Sequence, residues 1–250
     1  MEDYSLLIDL HKLAKRQGPG ADSDTKRAVE LARLSPSEPI TLLDIGCGTG
    51  ASSLVLSQLL NVQITAVDFL PDFIEQLRAR AEGLGLAAKI TPLVSTMESL
   101  PFASEVYDVI WAEGAIYNIG FKNGVNYWKQ FLKPGGLLVV SEITWITGSR
   151  PCEVQQYWDT QYPEIGTASE KIGVLERSGY SPLAYFTLPQ SSWLDNYYRP
   201  LQKSFPSFLH RHEGSEEARA IVVAEEKEIA LYERYKSYYS YGMYIANKSS

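Results

Sequence analysis

Between residues 41 and about 143, short apolar runs alternate with segments whose apolar positions recur at helical spacing. That alternation predicts an α/β fold in which helices cover both faces of a mainly parallel sheet. Residues 41–45 read as the first strand, 51–60 as the helix after it, and 63–67 as a second strand ending in Asp68. Pro71 occupies a first-turn position, where a missing N–H costs nothing, and the helix over 72–81 stops near Gly83 and Gly85. Residues 90–94 and 107–112 give the third and fourth strands. A helix over about 124–132 meets Pro134-Gly135-Gly136, a turn that asks for positive φ, and 137–140 form the fifth strand. Further on, the pattern predicts a helix over 167–179, a strand over 183–188 and a last strand over 240–246, making seven strands in all.

The flanks differ in character. Residues 1–38 read as a helical arm: an apolar helix (Leu6, Leu7, Leu10, Leu13, Ala14), the hinge Arg16-Gln17-Gly18-Pro19-Gly20, and a second helix over 23–34. Residues 39–146 form a binding core and 189–237 an inserted helical lid, all within one domain spanning 1–250. The lid holds an amphipathic helix over 216–235, with Ala218, Ile221, Val222, Ile229 and Tyr232 on one face. Twelve of the sixteen tyrosines lie beyond residue 150, so the aromatic load falls where covering segments would meet the sheet's carboxyl edge, the edge at which open α/β sheets bind ligands. Packing alone would also account for those rings.

The most telling stretch is Leu42-Leu43-Asp44-Ile45-Gly46-Cys47-Gly48-Thr49-Gly50, where an apolar strand breaks into three alternating glycines. Glycine lets another molecule approach a backbone with no Cβ in the way. Asp44 stands near that strand's end, and Asp68 follows the second strand, where one carboxylate can accept from both hydroxyls of a ribose. Gly46, Gly48 and Ala51 also fit the dinucleotide fingerprint, which keeps a nicotinamide cofactor open on the glycines alone.

The wider pattern resembles the class I S-adenosylmethionine (SAM)-dependent methyltransferases. An apolar pair, an acid, an apolar residue and G-x-G-x-G match that family's first motif at every position. Asp68-Phe69 matches the ribose acid and the adenine-packing side chain. Ser95-Thr96-Met97-Glu98-Ser99-Leu100-Pro101-Phe102 is similar to the family's acid-x-x-x-Leu-Pro-Phe signature, with Thr96 where many relatives place an acid. Lys133-Pro134-Gly135-Gly136 is similar to its turn into the fifth strand. Residues 113–121 together with 16–20 further resemble a bacterial subgroup of small-molecule methyltransferases. The resemblance implies a Rossmann-like sheet and SAM as cofactor, with S-adenosylhomocysteine (SAH) as product. It implies a cofactor site formed by Gln17, Gly18, Asp44, Gly46, Gly48, Gly50, Asp68, Phe69, Thr96, Met97, Glu98 and Glu113, with Asp44 toward the amino end of SAM. Glu113 and Tyr117 would lie beside the methyl group as catalytic candidates, with His11, His210 and His212 as weaker ones. Tyr117, Trp145, Trp158, Tyr162, Trp193 and Tyr197 are the expected acceptor-binding rings.

Composition narrows the partners. A net charge of −7 and a pI of about 5.1 leave no basic surface for a phosphate backbone, and residues 112–118 lack the Asn/Asp-Pro-Pro-Tyr grip of base-amino methyltransferases. Met1-Glu2-Asp3-Tyr4 starts no signal peptide and no apolar run reaches membrane length, so a cytoplasmic protein without a membrane partner is expected. Two cysteines support neither a disulfide framework nor a thiolate metal site, and no metal is expected. The expected activity is methylation of nitrogen or oxygen, with carbon ranked behind them, in a small, partly apolar or aromatic molecule. An RNA or protein methyltransferase, a protein that holds SAM without reacting it, and a homo-oligomer all stay open.

Overall fold

A computed structural model describes residues 5–249; the Met1–Tyr4 segment of the signal-peptide argument lies outside the described residues. Seven strands form one sheet: β1 (Ile40–Ile45), β2 (Val62–Asp68), β3 (Ile90–Val94), β4 (Tyr107–Ala112), β5 (Leu132–Trp145), β7 (Tyr180–Thr187) and β8 (Tyr239–Lys248). Their order is β3-β2-β1-β4-β5-β8-β7, and a two-residue β6 (Gly166–Thr167) pairs with the end of β5. The first five run parallel, whereas β8 lies antiparallel to both β5 and β7. The expected Rossmann-like, mainly parallel sheet is therefore present.

Each central strand is apolar on both sides because both sides are covered. Leu42, Ile64, Ala66, Val109, Trp111 and Val139 pack into one core layer, and their neighbours Leu43, Val67, Ile110, Ala112, Leu138 and Val140 into the other. Helices α3 (Ala51–Leu59), α4 (Pro71–Gly83), α5 (Phe121–Trp128) and α7 (Ala168–Arg177) connect the strands. Thr167 caps α7 through a reciprocal pair with Glu170.

Two boundaries differ from expectation. The fifth strand is 14 residues long, not four, and absorbs the Pro134-Gly135-Gly136 turn as a bulge at which Gly135 takes φ 72° and the register against β4 shifts. Because Leu132 already pairs with Tyr107, α5 starts and ends earlier than predicted, and a single turn at Lys129–Phe131 bridges to β5.

The arm consists of α1 (Ser5–His11) and α2 (Asp22–Leu31). The segment between β7 and β8 is helical throughout: α8 (Gln190–Trp193), a wide turn at Leu194–Tyr198, α9 (Arg199–Arg211) and α10 (Glu216–Tyr235). Helix α9 escaped prediction because Pro206 sits inside it, where the missing N–H removes a backbone bond. Helix α6 (Cys152–Gln161) was missed as well; it buries only Val154 fully and so shows weak periodicity. No described helix is long and apolar enough to cross a membrane.

A buried ion pair joins α7 to the sheet. Lys171 on α7 lies 2.8 Å from Glu142 on β5, both almost fully buried, and its ammonium stands 4.7 Å above the Phe121 ring.

Gly50 gives a direct stability test. It precedes α3 with φ 87°, and a Cβ there would enter the space held by the Leu77 side chain. Gly50→Ala is expected to destabilise the fold by about 1–3 kcal/mol through backbone strain and overpacking, read as a lowered denaturation midpoint.

Candidate functional site

The carboxyl ends of β1, β2 and β4 open into a cavity of about 470 Å³, within the range of small-molecule sites. Its floor is the loop after β1, with Gly46 at φ 71° and Gly48 at φ 54°. A Cβ on Gly46 would collide with Ala115, and one on Gly48 with the Gln17 side chain, so only glycine lets the loop lie this close to both walls. Gly50 does not reach the cavity; its role is the α3 packing above.

Three acids surround the loop and have different duties. Asp68, largely buried at the end of β2, accepts the Gly48 N–H on Oδ2 and the Leu70 N–H on Oδ1, each at 3.0 Å. Those bonds aim the carboxyl at the cavity, and burial raises its pKa. Glu113, past the end of β4, receives Arg16 Nη1 at 3.0 Å on Oε2, and Thr25 Oγ1 at 2.7 Å and Trp111 Nε1 at 2.9 Å on Oε1. Three donors engage both of its oxygens, so the structure places it as the anchor of the arm and not as a free base at the cavity. Asp44 corrects an expectation. It is fully buried behind the cavity wall, not on it, and both Ser52 Oγ (2.8 Å) and Ser53 Oγ (2.6 Å) donate to its Oδ2. Oδ1 has no partner, and burial outweighs the two hydroxyls, pushing the carboxyl up to about 7.

The arm supplies the roof. Gln17 Oε1 accepts from the Thr49 N–H at 2.9 Å while its amide donates to the His11 and Ala14 carbonyls. Arg80 on α4 donates to the Thr49 carbonyl at 2.7 Å and the Lys15 carbonyl at 3.2 Å. With Arg16 on Glu113, these bonds tie the hinge across the glycine loop, and Arg16, Gln17, Gly18 and Pro19 line the cavity. Arg16 and Arg80 were not among the expected site residues; a lone arginine carries no spacing signal until the fold shows what it meets.

Phe69, Thr96, Met97 and Glu98 all line the cavity, as do Tyr117 and Asn118 beyond Gly114. Of the expected acceptor-binding rings, Tyr117 is on the wall, and Tyr162 stands 6.2 Å from it. Trp193 is core: it stacks on Tyr232 at 4.4 Å and donates its indole N–H to Ser240. Trp145 is core too, edge-on to Tyr239 and capped by Arg150. Trp158 also packs on Tyr239, and Tyr197 stacks on His11. His212 faces Asp9 at 3.0 Å and His210 is exposed, so neither lies at this cavity. Burial pushes the Cys47 thiol well up, consistent with a small packed side chain.

Residues 42–136, the segment that builds this floor, match the family described as "Methyltransferase domain". The chain is 32% identical over 159 residues to a Bacillus subtilis protein named "Uncharacterized methyltransferase YodH", an alignment covering 64% of this chain and 66% of that one. It is 28% identical over 146 residues to a malonyl-[acyl-carrier protein] O-methyltransferase of Herminiimonas arsenicoxydans, covering 58% of this chain and 53% of the other. The chain thus spans from about half to just under two thirds of the length of these relatives. Its fold matches a SAM-dependent methyltransferase structure from Thiobacillus denitrificans solved with SAH, with a TM-score of 0.84 at 20% identity over 98% of this chain and 99% of that one. The chain thus resembles the SAM-dependent methyltransferases in its residues 42–136 and in its fold. Asp44, near the end of β1, acts from inside the protein, where its ionisation costs stability.

Asp44 titrates near 7 when folded, against about 3.9 in an unfolded chain. Between those values the folded protein keeps a proton that the unfolded chain has lost. Its contribution to stability is full below the lower value and is lost as pH rises through the upper one. Asp44→Asn is expected to remove that dependence, so urea denaturation at roughly pH 5 and pH 8 should show a smaller loss of stability in the variant than in the parent.

Proposed function

We propose that this protein transfers a methyl group from SAM to a nitrogen or oxygen of a small, partly apolar or aromatic molecule. The observation that carries this reading is one continuous cavity. At one end the backbone-aimed carboxyl of Asp68 suits a ribose diol, and at the other the wall passes Glu113 and Gly114 to reach Tyr117. The lining fits the cofactor chemically: Phe69 offers a face to the adenine, and Thr96 and Met97 border the same region. Glu113 Oε2, holding Arg16 on one side, keeps a lone pair for the ammonium of the amino-acid moiety.

When bound, SAM supplies an electrophilic methyl: the acceptor lone pair bonds to carbon as the carbon–sulfur bond breaks, and its electron pair stays on sulfur. The chain's part is alignment and exclusion of water. Arg16, Gln17 and Arg80 hold the roof down, and the wall continues from Glu113 and Gly114 to Tyr117. Burial raises the Tyr117 phenol above its ordinary range, so it is protonated near neutrality and positions the acceptor through its hydroxyl, not as a phenolate base. Asn118 and Glu113, the polar side chains beside Tyr117, support nitrogen or oxygen as the acceptor atom. The arm across the cavity, with the acidic charge, favours a small acceptor over RNA or a protein chain.

Incubation with SAM and a panel of small amines and phenols should yield SAH together with a methylated product. Binding of SAH without turnover of any panel member would leave a SAM-holding protein instead. Asp68→Ala is expected to weaken SAH binding by about 1–3 kcal/mol in calorimetry, the scale of lost charged hydrogen bonds. With a turned-over acceptor in hand, Tyr117→Phe should raise KM several-fold and change kcat little; collapse of kcat alone would restore the base.

A further inference from the structure

A second cavity, of about 920 Å³, shares Arg16 and Ala51 with the first and includes none of Glu113, Gly114 or Tyr117. Its walls come from α1, the hinge, the start of α2, helix α3, the end of α4 and the insertion around 195–204. That size is ample for a small molecule. The residues given above to cofactor and acceptor leave this space unused.

Leu10, Leu13, Leu54, Val55, Leu84 and Leu201 supply an apolar wall. Leu13 is 71% and Leu84 54% accessible, the highest values among the large apolar side chains of the described residues. A single exposed leucine needs no explanation, but two on one concave wall, beside the buried Leu10, Leu54 and Leu201, make a surface fit for an apolar ligand.

The charges on the same wall do not cancel. Arg16 is balanced by Asp22 and Glu113, Asp195 by Arg199, and His11 lies 3.5 Å from Glu225. Lys15 and Arg80 also line the groove, and among the described residues neither has a carboxylate partner. Arg80 is half-buried, and its bonds to the Lys15 and Thr49 carbonyls and to Thr49 Oγ1 all use Nη1. Nε and Nη2, the edge with which a guanidinium grips a carboxylate bidentately, carry no hydrogen bond among the described residues. Burial first, and then the Arg16 charge, lower the Arg80 pKa, and the Asp22 charge does not offset them. Arg80 and Leu84 stand one turn apart at the end of α4, and the 3.2 Å bond to the Lys15 carbonyl brings the hinge beside them. Unpaired cations and uncovered apolar side chains therefore meet in one place.

We propose that this groove binds a free amphiphile with one anionic head, of the medium-chain carboxylate class. Its chain lies along Leu13, Leu54 and Leu84, and its head meets Arg80 and Lys15. Asp22 and Asp195 on the same wall disfavour a head that carries more than one negative charge. The site is separate from the methyl-transfer cavity and stands independently of the reading given to that cavity.

Octanoate, octanol and octylammonium, titrated into the full chain with and without SAH by calorimetry or ligand-observed NMR, test the assignment. Octanoate is expected to bind about tenfold more tightly than either companion, and to bind alongside SAH. Lys15→Glu and Leu84→Glu each set a negative charge at an exposed position of the groove. Each is expected to weaken octanoate about tenfold, with an unchanged denaturation midpoint as the check on folding. No binding of octanoate, equal binding of the three octyl compounds, displacement of octanoate by SAH, or unchanged octanoate affinity in either variant would each overturn the site. Failure of the parent protein to bind SAH would overturn the methyltransferase reading alone, because the two variants locate octanoate without it.

Discussion

The carboxyl of Glu113 is the point on which the site's geometry depends. It stands just past the end of β4 and gathers Arg16 from the hinge, Thr25 from α2 and the indole of Trp111 from the sheet. Without that carboxyl the buried guanidinium of Arg16 would retain, among the described residues, the exposed Asp22 as its ionic partner. One side chain therefore couples closure of the roof to placement of the turn that leads to Tyr117. The arrangement also commits both carboxyl oxygens to donors from three separate parts of the chain.

The distribution of charge around the cavity has a consistent sense. Asp68 and Glu113 face it, and Asp44 lies behind its floor. A low-dielectric pocket lined in this way favours positive ligands over neutral or anionic ones. A sulfonium donor with an ammonium tail meets that requirement at one end. The protein holds Arg16 close by without spoiling it, because Glu113 and Asp22 neutralise that guanidinium locally.

Much of the fold was legible in the chain because its central strands are short apolar runs punctuated by glycine, proline and acids. The residues from Thr41 to Ala112 obey local rules, and the strands fell within a residue or so of their expected limits. The long fifth strand was not legible: a Pro-Gly-Gly sequence is a turn by local chemistry, and only pairing with β4 and β8 makes it a bulge. In the site, Asp68, Phe69 and the Thr96–Glu98 stretch could be placed because they follow strand ends. Asp44 could not be resolved by the same logic. Sequence position sets how near a side chain is to the carboxyl edge, whereas the direction it points depends on Ser52 and Ser53, which a motif leaves unspecified. The aromatic residues divide for a similar reason: Trp193 and Tyr117 are equally plausible by composition, and only packing separates a core ring from a wall.

The place of β8 in the sheet has a consequence for how the molecule is made. Among the described residues β7 pairs with β8 alone, which is synthesised some fifty residues later and must slide between β7 and β5. While the ribosome adds the intervening helices, the flanks of both neighbours remain open, and Tyr239 and Tyr241 are not yet present to close the aromatic layer. Biogenesis of the acceptor side thus waits on a late, long-range pairing, and nascent chains stalled before β8 would expose the sheet edges that promote aggregation.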